Sequence, residues 1–553
     1  MAERFYREME LVRPDRDTWT IGWNLRERAR THGNRPYLEV PHQGVSHTFA
    51  ETLALAEALA RGFVENDCVL GDRVLLMATN CAEVVLCWYG AALAGVVEVP
   101  INTAYRGAFL EHQVRTTTPR VAVIDAEFAT RFTEGDRSAY ESIERYFVLG
   151  EGAAQEAAVE ALRGAGLKAA PYEELPRPDS VAELPEVAPG DTGAIFFTSG
   201  TTGLSKGVSM SHSQLCFIAQ QTIGIFQLTE DDTQMAVGPL FHGNAQFMGA
   251  LPDLIVGCRF VLREKYSATR WIDQIRECRA TVTNFIGVMM DWTFKQPPRP
   301  DDADNDLRCV LAVPVPTSIV EGFRSRFGVE VLTTEYGMTE ISIPIIAPYG
   351  VDRPTGAAGL LADEFFEARI VDPETDREMP VGEVGEFVVR GKEPWVILTD
   401  YFNMPDRTAE AQRNLWFHTG DGLRRDEDGW YYFVDRIKDA IRRRGENISS
   451  YEVEQAVVPH ESILECAAVA VPAHHTEAGE DEVALFVVPN AGAELEVEEV
   501  REWCVRQLPR FAVPEHILVI AELPMTPSGK VRKVELREMA QQAADEPARE
   551  GVA

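Results

Sequence analysis

The chain has 553 residues, too many for one ordinary hydrophobic core, so two or more domains are expected. With 45% hydrophobic and 25% charged residues, its composition is that of a globular protein and excludes a disordered or fibrous one. Its formal charge of −34 argues against a nucleic-acid surface, which needs a basic field, so any anionic substrate must be held locally by Lys, Arg and backbone N–H groups.

The N-terminal MAERFYREMELVRPD is charged throughout and lacks a signal-like apolar core. Residues 50–64 read as a helix and DRVLLMA (72–78) as a buried strand. The mostly apolar CAEVVLCWYGAALAGVVEVP (81–100) holds Glu83 and Glu98 and ends in proline. It reads as a buried helix running into a strand, not as a membrane span. AFLEHQVRTT (108–117) reads as a helix and RVAVID (120–125) as a strand. The Ala- and Gly-rich segment 149–169 reads as an exposed helix away from the centre. DTGAIFFTSG (191–200) reads as a strand ending in a loop, and VSMSHSQLCFIAQQT (208–222) as a helix. AVGPLFHG (236–243), GCRFVLREKY (257–266), ATVTNFIG (280–287) and LRCVLAV (307–313) continue the strands, with TRWIDQIREC (269–278) as an intervening helix.

This alternation predicts an α/β fold with partly parallel sheets. Residues 355–434 read as a β-rich subdomain. The predicted organisation is a large N-terminal domain of mixed sheets and helices (1–434), a hinge (435–439), a small mobile α+β C-terminal domain (440–540) and a flexible tail (541–553). The nine scattered cysteines form no CxxC pair, so neither a zinc knuckle nor a redox dithiol is expected. They suit a reducing compartment and a soluble, cytoplasmic protein.

FFTSGTTGLSKGVSMSH (196–212) has the composition of a phosphate loop. A Walker A loop requires GxxxxGK[ST]. From Gly200 the sequence reads GTTGLSKG, with Ser205 in place of the second glycine and Gly207 in place of the metal-binding hydroxyl. The stretch is not GxGxxG either. Phosphate chemistry survives the mismatch. Gly200 and Gly203 allow close backbone approach, the hydroxyls of Thr198, Ser199, Thr201 and Thr202 donate, and Lys206 adds charge. A plain surface loop is the competing reading.

Four further segments follow in order: TTEYGMTE (333–340), WFHTGD (416–421), DRIKDAIRRRGENISSYEVE (435–454) and PMTPSGKVRK (524–533). With TSGTTGLSKG (198–207) they resemble the signatures of the adenylate-forming superfamily of acyl- and aryl-CoA ligases, luciferases and peptide-synthetase adenylation domains. The resemblance spans nearly the whole chain. Within that superfamily, EKYSATRWIDQIRECRATVT (264–283) and YYFVDRIKDAIRRRGENIS (431–449) most resemble ligases of the carnitine/crotonobetaine type, while a CoA ligase for another small or medium acid remains open.

The resemblance implies an enzyme that uses ATP, Mg²⁺ and coenzyme A. A carboxylate attacks the α-phosphate of ATP to give an acyl-adenylate and pyrophosphate, and CoA then takes the acyl group and releases AMP. It implies that Thr198–Gly207 holds the β- and γ-phosphates, and that Thr339 and Glu340 meet the α-phosphate and the metal, Glu340 being the metal ligand. Tyr336 would lie against adenine, and core packing is the alternative for it. Asp421 would accept from the ribose hydroxyls. Arg436 would contact ribose or phosphate, or else form a surface pair with Asp435.

Lys530 would be the catalytic lysine of adenylation and Lys438 the hinge. Arg444 and Gly445, in RRRGENIS, would serve CoA. The cluster Arg442–Arg444 is a candidate for CoA phosphates or merely a helix-end charge group. His242 would position groups near the acyl and thiol channel. Two departures stand out. LAVPVPTS (311–318) replaces a stretch of small residues, with Val313 and Pro314 as the larger ones. Glu335 stands where glycine is frequent, and its carboxylate would suit the adenine or a cationic substrate head. Competing functions are a ligase that loads a carrier protein in trans, and a non-catalytic adenylate-binding scaffold. The partners expected are a small carboxylic acid and CoA, with no nucleic acid and no transmembrane segment. A homodimer is left open.

Overall fold

The computed structural model describes residues 11, 14–198, 205–437, 441–443, 446–448, 450–472, 481–493, 495–508, 510, 512–526 and 530–545. The chain divides into two compact units. The first comprises Met1–Glu367 and Val389–Phe417, the second Ala368–Val388 and His418–Ala553.

The first unit is built on two large sheets. One has the strand order Asp400–Tyr401, Lys206–Ser211, Thr192–Thr198, Val97–Pro100, Arg73–Met77, Val121–Asp125, Arg145–Leu149 and Ala169–Pro171. It is parallel from Thr192–Thr198 onward, and Lys206–Ser211 and Asp400–Tyr401 complete it antiparallel. The other has the order Val331–Thr333, Cys309–Val313, Val282–Ile286, Thr233–Ala236, Arg259–Leu262, Pro36–Val40 and Val45–Thr48, parallel except for its last strand. Such sheets need helices on both faces, which explains the near-continuous apolar runs. An antiparallel set, Glu335–Met338, Ser342–Ile346 and Gly359–Leu361, follows.

Helix Phe49–Glu65 starts where a Thr48–Glu51 capping box satisfies its first N–H groups. Helix Ala82–Ala94 is buried at every position but Glu83 and stops at Gly95 in the left-handed region. It is the 81–100 run of the sequence. Among the described residues no helix is long and apolar enough to cross a membrane.

Four local readings are corrected. Residues 208–211 are strand, not helix. Val208–Ser211 pairs with Thr192–Phe196, and the Ser211 hydroxyl caps helix His212–Phe226 by accepting from Gln214 N at 3.1 Å. In 236–243 only Ala236 is strand, because Gly238 and Pro239 turn the chain toward His242. The 149–169 helix, Gly152–Gly164, buries one face (Gln155, Ala158, Val159 and Leu162), and its apolar members join the core beside the first sheet. The last helix, Lys533–Asp545, runs into the segment read as tail, with Leu536 and Ala540 buried.

In the second unit Asp421–Arg425 pairs with Tyr431–Arg436 antiparallel. Beyond them, Ile463–Pro472, Asp481–Pro489 and His516–Val519 form a three-stranded sheet with helices Ser450–Val457, Val497–Gln507 and Lys533–Asp545. The mixture of helix and short sheet is the α+β character expected of it.

Candidate active site

In the first unit the chemistry gathers around Glu340. Its carboxylate is 3% exposed, and its Oε1 accepts from Thr198 Oγ1 at 3.2 Å and from Tyr401 Oη at 3.0 Å. Lys206 Nζ sits 4.0 Å from the centroid of the Tyr401 ring, a cation–π contact that holds the ammonium over that ring. The three side chains are neighbours because their strands are adjacent. Thr198 pairs with Lys206, and Tyr401 pairs with Val208. Among the described residues no donor reaches Glu340 Oε2. A buried carboxylate with one oxygen committed to hydroxyls and the other open is the donor type that a hard cation takes.

The TTEYGMTE segment is clamped from behind by glutamines of the buried helix His212–Phe226. Gln214 Nε2 donates to Thr339 O at 2.9 Å. Gln221 donates to Ile343 O at 2.6 Å and accepts from Ile343 N at 3.3 Å. Leu398 N donates to Glu340 O at 2.7 Å. Polar residues on a helix buried nearly all round are thus explained by backbone groups they satisfy.

Of the phosphate loop, Thr198, Ser205 and Lys206 are described. Ser199, Gly200, Thr201, Thr202 and Gly203 lie outside the described residues. Ser205 is held at both its polar groups: its carbonyl lies 2.8 Å from His112 Nε2, and its hydroxyl accepts from Gln113 Nε2 at 3.4 Å. The hydroxyl that stands in place of proline therefore gains a partner. His242 precedes a short helix, Gly243–Ala245, and a π-helical turn, Gln246–Ala250, with its ring against Phe241. Gln246 Nε2 donates to Leu240 O at 2.8 Å and to the buried Glu98 Oε1 at 2.9 Å, pinning the loop that carries His242 at both ends. π turns recur at functional sites.

Tyr336 and Glu335 occupy alternate positions of strand Glu335–Met338, both buried. Glu335 is 9% exposed, and burial alone pushes its carboxyl up to about 8. Gly337 is required beside it, because a side chain there would run into Ser342 O.

In the second unit Asp421 lies opposite Arg436 across the antiparallel pair, with Asp421 Oδ1 and Arg436 Nε 2.7 Å apart. The sequence showed no basic neighbour for Asp421 within its motif, and cross-strand pairing supplies one. The surface pair Asp435–Arg436 is not formed. The Asp435 carboxylate instead accepts from Ser450 N at 2.7 Å and Ser450 Oγ at 2.5 Å, and from Arg436 N at 2.7 Å. Asp435 thereby ties the end of its strand to the start of the following helix.

Arg443 is 5% exposed and spent on structure. It donates to Val513 O at 2.8 Å and pairs with Glu482 and Glu515, so it is withdrawn from the CoA-phosphate candidates. The side chain of Arg442 and residues Arg444, Gly445 and Lys438 lie outside the described residues. Lys530 is exposed, and its backbone is fixed by Thr526, whose hydroxyl accepts from Lys530 N at 3.0 Å.

Sequence reasoning missed Tyr401, Gln214 and Gln246, whose roles arise only from pairings distant in the chain. It also missed a His–carboxylate group. His418 Nδ1 lies 2.9 Å from Glu386 Oε2, whose other oxygen accepts from Gly420 N at 3.0 Å. Asp376 completes a cluster with ligand atoms within 4.8 Å of one another. Glu386 thereby holds the backbone just ahead of Asp421.

A family described as AMP-binding enzyme matches residues 25–398, and one described as AMP-binding enzyme C-terminal domain matches residues 452–530. The chain is similar to a crotonobetaine/carnitine–CoA ligase of Citrobacter koseri, at 32% identity over 528 residues, 93% of this chain and 99% of that protein. It is similar to the protein of the same description from Salmonella paratyphi B, at 33% over 470 residues, 84% and 88% of the two. ATP-bound MatB from Rhodopseudomonas palustris superposes with a TM-score of 0.79 at 25% identity, covering 94% of this chain and 99% of MatB. The anthranilate CoA ligase AuaEII, in complex with anthranoyl-AMP, shares the fold at a TM-score of 0.82 and 22% identity, over 95% and 98% of the two chains.

Proposed function

The chain belongs to the AMP-binding enzyme family, and we propose how its own residues divide the work of an acyl-CoA ligase. The reaction has two halves: ATP activates a carboxylic acid as an acyl-adenylate with release of pyrophosphate, and CoA then takes the acyl group with release of AMP. The electrostatic task of the first half is to neutralise charge on the α-phosphate as the carboxylate attacks it.

The observation that carries the assignment is the convergence of the Thr198 and Tyr401 hydroxyls on Glu340, with Lys206 held over the Tyr401 ring. Glu340 would hold Mg²⁺, whose charge would offset that of the triphosphate, while Thr198 and Tyr401 fix the carboxylate through its Oε1. Lys206 and the hydroxyls of the 198–203 loop take the β- and γ-phosphates. Thr339, fixed through its carbonyl by Gln214, offers its hydroxyl to the α-phosphate. Tyr336 packs on adenine. Asp421, with Arg436 beside it, accepts from the ribose hydroxyls. Lys530 supplies the positive charge of adenylation, Lys438 is the pivot between the two half-reactions, and Arg444 with Gly445 serves CoA. His242 lines the path of the acyl group and thiol.

The hinge between the large and small domains is residues 435–439 in this reading. Similarity to crotonobetaine/carnitine–CoA ligases favours a small acid as substrate. A panel of short carboxylic acids, scored for AMP release with and without CoA, tests the reading. AMP and thioester formed together are expected. AMP without thioester would move the chain to carrier loading, and neither product would make it an adenylate-binding scaffold.

A further inference from the structure

Ser205 stands directly before Lys206, the first residue of strand Lys206–Ser211. A proline at this place would fix φ through its ring, whereas serine leaves the backbone free to turn. Lys206 carries its charge at the end of a flexible four-carbon stem, so the reach of the ammonium depends on where the backbone ahead of it is held. Some restraint on Ser205 is needed if Lys206 is to meet phosphate in one place.

That restraint comes from helix Ala108–Thr117, far earlier in the chain. His112 Nε2 donates to the Ser205 carbonyl at 2.8 Å, because a carbonyl only accepts. The same ring stands edge-on to Phe197, with 6.2 Å between centroids. Phe197 pairs with Gly207, and Thr198 with Lys206. His112 therefore touches both limbs of the strand pair, Phe197 through its ring and Ser205 through its N–H.

Gln113, the next residue, belongs to the buried stripe of Leu110, Val114 and Thr117. It is 1% exposed, a place where leucine would pack without a polar cost. Its Nε2 reaches the Ser205 hydroxyl at 3.4 Å, and its Oε1 receives no hydrogen bond from any described residue. Among the described residues, the contact with Ser205 is what offsets the burial of this amide.

The helix is a firm support. Arg73 donates from Nε to Thr117 O at 2.7 Å and from Nη2 to Thr118 O at 2.9 Å. Asn403 Nδ2 donates to Thr116 O at 2.9 Å, and Phe402 N donates to Gly207 O at 2.8 Å. Asn403 and Phe402 follow Tyr401, whose ring lies under Lys206. One helix thus braces both the residue before the lysine and the segment that carries the ring.

We propose that His112 is a positioning residue for triphosphate binding: it fixes the backbone ahead of Lys206 through the Ser205 carbonyl, and Gln113 seconds it at the Ser205 hydroxyl. This rests on the reading of Lys206 as a ligand of the β- and γ-phosphates. Hydrogen bonds from a neighbouring helix here do the work that a proline ring would do by itself.

The test measures, by calorimetry, the affinity of the full-length protein for ATP and for AMP, each with Mg²⁺. AMP lacks the β- and γ-phosphates, so it reports on the rest of the site. His112→Phe keeps a ring against Phe197 and removes the donor. It is expected to weaken ATP binding by about three- to tenfold, the worth of one hydrogen bond, and to leave AMP within about twofold of wild type. His112→Gln returns a donor and should recover most of the ATP affinity. In a Lys206→Ala background, His112→Phe should cost ATP nothing further. ATP affinity within about twofold of wild type in His112→Phe overturns the proposal. Equal weakening of ATP and AMP also overturns it, because that marks a merely structural role. So does a full further loss in the Lys206→Ala background.

A second cycle leaves His112 in place. Gln113→Leu and Ser205→Ala remove the two ends of one contact, so each should weaken ATP binding and the double variant should be no weaker than the worse single one. Additive losses overturn the proposal, because Ser205 would then not be the shared partner. Lys206→Ala alone tests the phosphate reading. If it weakens ATP no more than AMP, Lys206 holds no phosphate, and that reading and the proposal fall together. If it weakens ATP alone while His112→Phe does not, only the His112 assignment falls.

Discussion

Asp421 and Arg436 form a cross-strand ion pair, 2.7 Å from Oδ1 to Nε, in which the carboxylate is buried and the guanidinium is one-third exposed. The pair neutralises a charge that would otherwise sit in a poorly solvated place, and it aims the carboxylate. Arg436→Ala should therefore cost stability as well as binding. With one partner exposed, about 1–3 kcal/mol is expected rather than the full penalty of a buried pair. KM for ATP should rise roughly tenfold, and Arg436→Lys should recover stability better than binding, because lysine lacks the planar fork. Thermal melts and ATP titrations separate the two. Full ATP affinity in Arg436→Ala would show that the pair is structural only.

Among the described residues, the Tyr401 hydroxyl is the donor to the Glu340 carboxylate that no local motif announces. Tyr401→Phe keeps the ring under Lys206 and removes only the hydrogen bond. A hydrogen bond to a charged group contributes about 1.5–3 kcal/mol, so carboxylate-dependent pyrophosphate exchange should fall by about ten- to a hundredfold. The Mg²⁺ concentration for half-maximal rate should rise. A double cycle with Thr198→Val should be non-additive, since both hydroxyls serve the same oxygen. Additive losses would mean that the two act on different groups.

Much of this arrangement was legible in the sequence where the signal is local. Helix Phe49–Glu65 carries its capping box, Ala108–Thr117 coincides with the polar helical run, and the buried parallel strands appear as short β-branched runs. The boundary before His212 was not legible. GVSMS is too short for its alternation to outweigh the helix that follows, and pairing with Thr192–Thr198 decides it. Motif residues such as Glu340 and Asp421 were legible through resemblance. Their partners were not: Tyr401 lies 61 residues from Glu340, and Glu386 lies 32 from His418. Strand adjacency creates these contacts, and no periodicity records it. Ser205 shows the converse, a visible departure whose partner, Gln113, only the fold reveals.

Glu98 offers a pH test of the loop that carries His242. Burial raises its carboxyl from 4.5 to about 8, with the Gln246 hydrogen bond opposing the rise. The folded state therefore holds a proton that the unfolded state has already released. Stability from this group is fully present below about 4.5, declines as pH rises, and is lost by about 8. Glu98→Gln cannot ionise. Its melting temperature relative to wild type should climb between those limits and level off above them. A difference that stays flat across the window would show that Glu98 does not titrate there. Because Gln246 bonds both Glu98 and Leu240, Glu98→Ala should raise KM for the acid more than Glu98→Gln does.

Lys530 separates the two half-reactions. Its side chain is exposed while Thr526 fixes its backbone, so removing the ammonium should leave the fold intact. Its proposed work is confined to the step in which charge builds between the acid and the α-phosphate. Loss of one such stabilising group costs about a hundred- to a thousandfold in that step. Lys530→Ala should lose that much carboxylate-dependent pyrophosphate exchange. Thioester formation from chemically prepared acyl-adenylate and CoA, which bypasses adenylation, should stay within about fivefold of wild type. Lys530→Arg keeps the charge but places it on a broader group, and it should restore exchange only in part. Near-normal exchange in Lys530→Ala would remove the residue from the reaction. Equal losses in both assays would make it a CoA- or AMP-binding group instead.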